Sequence, residues 1–379
     1  MLTNNGRRPH QLGGITILTL LTLGCANVDE QRESTANPLT TTPSEIPQFR
    51  VDAFWARDLP NDWILGQVSG VSVDDRDHVW IVHRPRTLDN RQRGEHGMCC
   101  VPAPPVIEFD PDGNVVQAWG GPGSEFEWPE SEHGIHIDQQ GNVWIGGNGP
   151  NDSHVLKFTR DGNFILQIGR SGQSSGSNDL ENLGRPASME VDPAANEIYI
   201  ADGYGNRRII VYDSETGEYK RHWGAYGDRP DDTDLPPYDP ATEPIRHFRS
   251  PVHGVTIAND GLVYVADRTN NRLQVFQKTG QFVTEAFVRT ATLGSGSVSG
   301  VTLSEDVEQR WLFVPDGTNN VVWMLDRESL NVVSRFGRLG KSAGHFYRLH
   351  NLDVDSRGNI YTTEVNVGQR LQKFDRIRR

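Results

Sequence analysis

Residues 254–267 read GVTIANDGLVYVAD, and residues 273–287 read LQVFQKTGQFVTEAF. Each stretch contains two short runs rich in β-branched and aromatic residues, joined by a tight turn with Asp-Gly or Thr-Gly. This pattern is typical of a β-hairpin. Together the two stretches predict a unit of four antiparallel strands that follow one another along the chain.

The same unit recurs. Its second hairpin reappears as VIEFDPDGNVVQAWG (106–120) and VLKFTRDGNFILQIG (155–169), and its first strand gives a short phrase that occurs six times. The phrases are SGVSVD (69–74), HGIHID (133–138), ASMEVD (187–192), HGVTIA (253–258), SGVTLS (299–304) and HNLDVD (350–355). Four strands per unit and a period of roughly 40–50 residues are typical of a propeller blade. The sequence therefore predicts an all-β fold, a six-bladed β-propeller.

The units resemble NHL repeats, most clearly in GLVYVADRTNNRLQVF (261–276). The sixth unit stops after its third strand, at LQKFDRIRR (371–379), whereas QFRVDAFWA (48–56) alternates like a strand and has no partner of its own. We predict that this N-terminal strand completes the last blade and closes the ring, which leaves no open seam. One propeller domain would then cover residues 48–379.

The N-terminal residues have a different composition. Two arginines precede an apolar run at 15–23 that is too short to span a membrane, and LTLGC (21–25) resembles a bacterial lipobox. We predict a lipoprotein signal peptide over 1–24, lipidation of Cys25, and a disordered tether over 25–47. An ordinary secretory signal is the alternative. With the lipoprotein signal, the chain is exported and anchored by lipid alone in a bacterial membrane, facing the periplasm or the cell exterior.

The charge of the chain bears on its partners. The net charge of −13 over 379 residues argues against nucleic acid as a partner, because phosphate binding needs a basic face. The 35% hydrophobic and 23% charged residues are typical of a soluble globular domain. We expect a monomer that acts on a small molecule or a peptide.

Cys99 and Cys100 are the only cysteines besides Cys25. Adjacent cysteines rarely form a relaxed disulfide, so we expect two thiols in a loop. A disulfide between them, or a soft-metal site that includes His96, are the alternatives.

Histidine opens the short phrase in every second unit. Because the first strand of each blade lines the central channel, imidazoles from blades two, four and six would converge on the axis, about 120° apart. Three neutral imidazoles suit zinc and leave a fourth position open for water or substrate. A wet channel lined by polar residues is the alternative. The six opening residues are Ser69, His133, Ala187, His253, Ser299 and His350.

The second strand of each blade runs back toward the same mouth of the channel. Its end and the following loop carry Arg84 in the first unit, Tyr204 in the third and Arg268 in the fourth. Two guanidinium groups could hold a carboxylate, and a phenol could move a proton. For Arg268 alone, a surface turn residue is the alternative.

Five stretches resemble, in chain order, the peptidyl-alpha-hydroxyglycine alpha-amidating lyases, and the resemblance runs over nearly the whole propeller. It implies a zinc-dependent carbon–nitrogen lyase that cleaves a carbinolamide into an amide and glyoxylate. Another metal-dependent hydrolase or lyase acting on a small carbinol or lactone, and a non-catalytic NHL binding scaffold, are the alternatives. The stretches are LGQVSGVSVDDRDHVWIVHR (65–84), EHGIHID (132–138), DGYGNRRIIVY (202–212), PVHGVTI with VADR (251–268) and LHNLDVD (349–355).

The resemblance also implies site residues. Three histidines would hold the zinc, one tyrosine would be catalytic, and two arginines would line the active site. In this sequence they are His133, His253, His350, Tyr204, Arg84 and Arg268. The natural substrate, and which arginine binds its carboxylate, are left open.

The resemblance further implies a structural calcium in the channel, bound by the backbone carbonyls of Val71 and Ile135 and by an aspartate. This chain has Asn351 where the family has that aspartate. An amide keeps an oxygen ligand but removes its charge. We therefore expect calcium to bind weakly or not at all.

Overall fold

The computed structural model of the protein describes residues 45–94 and 99–378. Over these ranges the chain forms six four-stranded antiparallel sheets, one two-stranded sheet and three short 3-10 turns. None of its described helices has the length and apolar composition that a membrane span requires. The predicted all-β six-bladed propeller is confirmed. The predicted signal peptide and Cys25 lie outside the described residues, as do most of the tether and His96.

We number the blades from 1 to 6 along the chain. In blades 1 to 5 the strands follow chain order from the channel outward, whereas in blade 6 the first strand of the chain is the outermost. Blades 1 to 3 comprise Gln67–Val73, Val79–Arg84, Val106–Phe109 and Val115–Trp119; Glu132–Ile137, Val143–Gly147, His154–Phe158 and Phe164–Gly169; and Ser188–Asp192, Glu197–Asp202, Arg208–Asp213 and Tyr219–Trp223. Blades 4 to 6 comprise Val252–Ile257, Leu262–Asp267, Arg272–Gln277 and Phe282–Phe287; Thr302–Leu303, Trp311–Asp316, Val321–Asp326 and Val332–Phe336; and Leu349–Val354, Ile360–Glu364, Arg370–Arg376 and Phe49–Asp52.

The first strand of the chain closes the ring. Phe49–Asp52 pairs antiparallel with Arg370–Arg376 and is the outermost strand of blade 6. Its Phe49 ring packs against Phe313 and Phe336 of blade 5, with ring centroids 5.8 and 5.1 Å apart. The N-terminal closure predicted from the sequence is therefore confirmed, and aromatic contacts with the neighbouring blade hold the closing strand.

Apolar side chains fill the spaces between blades. The two middle strands of a blade are covered on both faces, so Arg272–Gln277 is buried except at its last residue. The outermost strand Phe282–Phe287 has no fully buried residue. Between blades 3 and 4, Tyr199 and Val211 lie in the same buried cluster as Val255. This packing fixes the position of each inner strand around the axis.

Polar side chains also join neighbouring inner strands. In four blades the fourth residue of a phrase accepts a hydrogen bond from the backbone N–H of the fifth residue of the next phrase. Examples are Glu190 Oε1 from Ile257 at 3.0 Å and Asp353 Oδ2 from Val73 at 2.7 Å. An inner strand is a sheet edge, and its free N–H groups need such acceptors. The fourth residue is polar in every blade, and we call this set the polar ring: Ser72, His136, Glu190, Thr256, Thr302 and Asp353.

The loop after the second strand of blade 1 differs from the sequence expectation. Cys99 and Cys100 are joined by a disulfide bond, whereas we expected two thiols. Cys100 has a positive φ of 87°. The backbone therefore turns at this residue, unlike in an extended chain. The next residues, Val101–Pro102, pair in parallel with Trp63–Ile64.

Candidate metal centre

The three histidines predicted as ligands meet on the channel axis. The ring centroids of His133 and His253 are 5.0 Å apart, those of His133 and His350 4.8 Å, and those of His253 and His350 5.0 Å. One ring nitrogen of each lies within 4.8 Å of the others, and all three side chains are buried. The group could hold one metal ion.

Each imidazole is oriented by the next blade. In all three histidines Nδ1 donates a hydrogen bond to the backbone carbonyl of the residue that opens the following phrase, at 2.7 Å for His133 and His350. Because a carbonyl only accepts, Nδ1 carries the proton and the lone pair of Nε2 is free. The acceptors for His133, His253 and His350 are Ala187, Ser299 and Ser69. Even blades thus supply imidazoles, and odd blades supply the carbonyls that fix them.

The electrostatic environment keeps these imidazoles neutral. Burial lowers the pKa of His350 to about 3 and holds the pKa of His133 and of His253 well below the usual value. Nearby positive groups act in the same direction, led by Arg84 for His350 and by Arg268 for His253. Neutral imidazole is the form that binds a metal ion.

Tyr204 lies next to the histidines and also lines the cleft. Its hydroxyl lies 3.0 Å from Nε2 of His133 and 3.0 Å from Nε2 of His253. One hydroxyl proton can serve only one of these lone pairs. Among the described residues no other donor reaches the Nε2 atoms, including that of His350. One cation bound by all three Nε2 lone pairs would satisfy them together, so the three nitrogens fit a metal ion.

The local chain path explains how Tyr204 reaches the axis. It follows the second strand of blade 3, and Gly203 passes directly against the inner strand of blade 4. A Cβ on Gly203 would lie only 2.0 Å from the carbonyl oxygen of Val252. Glycine therefore permits the close approach that carries the tyrosine over the histidines.

The two predicted arginines border the same opening. Arg84 donates from Nε to the Glu132 carbonyl at 2.7 Å and from its two Nη atoms to Gln67 and Asn148, each at 3.1 Å. Arg268 donates from Nη1 to the Tyr204 hydroxyl at 3.3 Å. A cleft of about 130 Å³ lies between them, and its polar lining includes Arg84, Asn148, Tyr204, Arg268, Ser295, Arg348 and His350. The structure thus brings all six residues implied for zinc and catalysis to one place.

Two further arginines at this opening were missed by the sequence analysis. Arg348 lines the cleft, and the guanidinium of Arg185 lies over the Tyr204 ring, 5.7 Å from its centroid. Each stands two positions before a phrase: Arg348 before His350, and Arg185 before Ala187. A comparison of that position among the six units would have indicated both.

The residues implied for calcium lie beyond the histidines. Val71, Ile135 and Asn351 line a cavity on the channel that is also lined by His133 and His253, whereas His350 lines the cleft. The Asn351 Oδ1 accepts a hydrogen bond from the Leu352 N–H at 2.8 Å. This set contains no carboxylate, and its one side-chain oxygen is already engaged. Calcium binding here stays a prediction of weak affinity.

The sequence of the chain is similar to those of several known proteins. Residues 252–276 match the NHL repeat family model. The chain is 29% identical over 316 residues to peptidyl-glycine alpha-amidating monooxygenase B of Xenopus laevis, covering 80% of this chain and 33% of that protein. It is 27% identical over 404 residues to peptidyl-alpha-hydroxyglycine alpha-amidating lyase 1 of Drosophila melanogaster, covering 98% of this chain and 68% of that protein.

The chain is a six-bladed propeller that contains a match to the NHL repeat and is similar in sequence to the amidating lyases. It spans only a third of the length of the Xenopus relative. This propeller is also 28% identical over 351 residues to NHL repeat-containing protein 3 of Mus musculus, covering 87% of this chain and 85% of that one. A solved structure titled streptogramin B lyase superposes with a TM-score of 0.51 at 12% identity, covering 87% of this chain and 98% of that one. At that identity the likeness shows the propeller fold alone.

Proposed function

We propose that the protein is a zinc-dependent carbon–nitrogen lyase that cleaves a carbinolamide into an amide and glyoxylate. The observation that carries the proposal is the meeting of three free imidazole nitrogens with the Tyr204 hydroxyl at the base of an arginine-lined cleft. Three neutral imidazoles with an open fourth position suit zinc. Similarity to the Drosophila lyase over nearly the whole chain supports the same reaction.

Arg84 is placed to hold the substrate carboxylate. Its Nε and one N–H on each Nη atom bond to the protein, which leaves one N–H on each Nη atom free. Two parallel N–H groups match the two oxygens of a carboxylate. The three bonds to the protein fix the direction of the fork, so the carbinol carbon would lie at a defined position above the histidines.

Tyr204 is placed to move the proton. Zinc, when bound, would supply a Lewis acid that lowers the pKa of the carbinol hydroxyl. Tyr204, as a phenolate, would accept the hydroxyl proton while the carbinol C–O bond becomes the aldehyde C=O of glyoxylate. The electrons of the N–Cα bond pass to the amide nitrogen, which takes a proton back from Tyr204. Arg268, 3.3 Å from the Tyr204 oxygen, would stabilise its negative charge.

A binding scaffold without activity is the second candidate. It is favoured by the similarity to NHL repeat-containing protein 3, whose name states no reaction. A scaffold gives no reason for three imidazoles that converge on one point, or for a tyrosine and arginines around them. A metal-dependent hydrolase or lyase on another carbinol or on a lactone would use the same residues, and the assay below separates it from the first proposal.

We also propose that the chain is exported and anchored by a lipid on Cys25. The basic residues, short apolar run and LTLGC sequence of the N-terminus support this proposal. Labelling with a radioactive or alkyne-tagged fatty acid in a bacterial host tests it. Label on the wild type and not on Cys25→Ser is expected, and equal labelling of the two would contradict the anchor.

The reaction is tested with alpha-hydroxyhippuric acid and the zinc-loaded full chain. We expect glyoxylate and benzamide in equal amounts, faster than the spontaneous breakdown. His253→Ala should lose both the zinc and the activity, whereas His222→Ala on the outer strand of blade 3 should keep both. Zinc bound at full occupancy without glyoxylate release would favour the other metal-dependent activities. No metal bound by the wild type would favour the scaffold.

A further inference from the structure

The cleft is strongly cationic in an acidic protein. The whole chain has a net charge of −13, yet Arg84, Arg185, Arg268 and Arg348 surround one opening. Among the described residues no carboxylate lies within 4.0 Å of any of these four guanidinium groups. The two described arginines that are fully buried, Arg208 and Arg272, are paired with Asp202 at 2.9 Å and with Asp267 at 2.7 Å. Unpaired, partly buried cations are unfavourable, which points to an anionic ligand at this place.

Two of these arginines form a rigid pair. Arg268 donates from Nε to the Ser295 carbonyl at 2.8 Å, and Arg348 donates from Nη2 to the Ser295 hydroxyl at 2.9 Å. Both guanidinium groups are thus tied to one residue. Both groups carry a positive charge and line the same cleft. An anion between the two would relieve their repulsion.

The backbone at Arg348 is also held in an uncommon conformation. Its φ is 70°, in the left-handed region that residues other than glycine rarely adopt. The Arg348 N–H donates to the Asn320 side-chain oxygen at 2.7 Å, which fixes this conformation. Such a position for a long side chain is unfavourable and is typical of a functional constraint. Here it directs the Arg348 guanidinium toward Ser295, whose hydroxyl accepts its hydrogen bond.

The lyase reaction needs fewer cations than the cleft provides. One carboxylate is held by Arg84, whose anchors Glu132, Gln67 and Asn148 belong to blades 1 and 2. The Arg268–Arg348 pair belongs to blades 4 and 6 and is anchored separately, on Ser295. The glyoxylate-forming end of a simple substrate carries a single negative charge. Arg268 also contacts the Tyr204 oxygen through Nη1, but Arg348 has no role in the proposed reaction, so the pair has no ligand in that substrate.

We propose that the natural substrate carries a second anionic group on its acyl side, bound between Arg268 and Arg348. This inference rests on the proposed lyase activity. The substrate class is an N-acyl-alpha-hydroxyglycine whose acyl part ends in a carboxylate or includes an acidic side chain. A peptide with a neutral residue before the hydroxyglycine would leave the second anchor empty.

A matched pair of substrates tests this inference. N-succinyl-alpha-hydroxyglycine and its succinamoyl analogue differ only in a terminal carboxylate against a carboxamide. We expect kcat/KM to be at least about tenfold higher for the succinyl compound, since charge-assisted hydrogen bonds exceed neutral ones by about this factor. The preference should shrink as ionic strength rises. Equal kcat/KM values for the two would overturn the inference and leave the lyase activity intact.

Variants locate the second anchor. Arg348→Gln should lower kcat/KM for the succinyl substrate about tenfold or more, mainly through KM, and affect the succinamoyl analogue much less. Arg348→Lys should keep part of the preference. Arg335→Gln, an exposed arginine on the outer strand of blade 5, is the matched control and should change neither value. A preference that survives in a folded Arg348→Gln protein would overturn the assignment.

Binding without reaction separates the two proposals. N-succinylglycine and N-succinamoylglycine lack the hydroxyl and cannot be cleaved. By calorimetry the succinyl compound should bind at least about tenfold more tightly to the wild type, and Arg348→Gln should abolish the difference. If this holds and neither hydroxylated substrate is cleaved, the lyase proposal fails and the anion site stands. Equal binding of the two compounds would overturn the anion site itself.

Discussion

The Nδ1 of His350 donates a hydrogen bond of 2.7 Å to the backbone carbonyl of Ser69, across the seam where the last blade meets the first. The same arrangement joins blade 2 to blade 3 and blade 4 to blade 5. Each candidate metal ligand is thus also a contact between blades. The metal centre and the closure of the ring are therefore coupled.

This coupling predicts that metal binding stabilises the fold. A ligand at a thousand times its dissociation constant adds about 4 kcal/mol to the free energy of unfolding, so the zinc-loaded protein should melt several degrees above the chelated one. In His350→Ala the difference should largely disappear, because one ligand and one seam contact are lost. Differential scanning calorimetry measures it. His345→Ala, outside the metal centre, should respond like the wild type; a full zinc shift in His350→Ala would contradict the coupling.

Tyr204 is proposed to move a proton and not to bind the metal. A variant without its hydroxyl should therefore lose activity and keep the zinc. Tyr204→Phe removes the hydroxyl that lies 3.0 Å from two imidazoles and keeps the ring. Proton transfer by a positioned group contributes about 10²–10⁴-fold, so kcat should fall by at least about a hundredfold while zinc stays bound. Tyr347→Phe, on a half-exposed residue outside these contacts, is the control. Near-normal kcat in Tyr204→Phe would remove the tyrosine from the mechanism.

Most of the fold was predictable because the repeats are local. Each hairpin is specified by alternation and a turn within about 15 residues, and equivalent residues of a ring lie at the same level by symmetry. That symmetry is why His133, His253 and His350 could be placed together from their spacing alone. The closing strand at Phe49–Asp52 followed from counting strands, because a ring with a missing outer strand leaves an open edge.

The remaining features depend on contacts between distant segments. The pairing of Arg348 with Arg268 needs the Ser295 loop and a left-handed backbone at residue 348, which no local pattern indicates. The disulfide between Cys99 and Cys100 depends on a turn at Cys100. The polar ring, in contrast, could have been read from the sequence. Its six members are the fourth residues of the six phrases, whereas the prediction of a ring used only the opening residues.

The polar ring predicts a pH-dependent stability. Burial raises the pKa of Glu190 to about 7, above its ordinary 4.5. A raised folded-state pKa means that the fold binds the proton more tightly than the unfolded chain does. The stabilisation is present below about pH 4.5 and is lost as pH rises through about 7. The wild type should therefore lose stability between these values.

Replacing the carboxyl by an amide tests this expectation. Glu190→Gln keeps an oxygen for the Ile257 N–H and cannot ionise. Its melting temperature relative to the wild type should be higher at pH 8 than at pH 5. Glu215→Gln, an exposed change in the same blade, should show no such trend. A Glu190→Gln difference that does not vary with pH would mean that Glu190 ionises in the fold as easily as in the unfolded chain.

We expect the largest loss of stability when the buried ion pair at the base of the Arg268 loop is broken. Arg272 and Asp267 form an ion pair of 2.7 Å with both side chains fully buried, and Asp267 directly precedes Arg268. Arg272→Met leaves the carboxylate buried and unpaired, which typically lowers the free energy of unfolding by about 3–5 kcal/mol. Urea denaturation measures the loss. Arg246→Met breaks an exposed pair with Asp228 of similar length, 2.8 Å, and should lower stability by about 1 kcal/mol or less. Equal losses in the two variants would show that burial does not decide the contribution of the Arg272 pair.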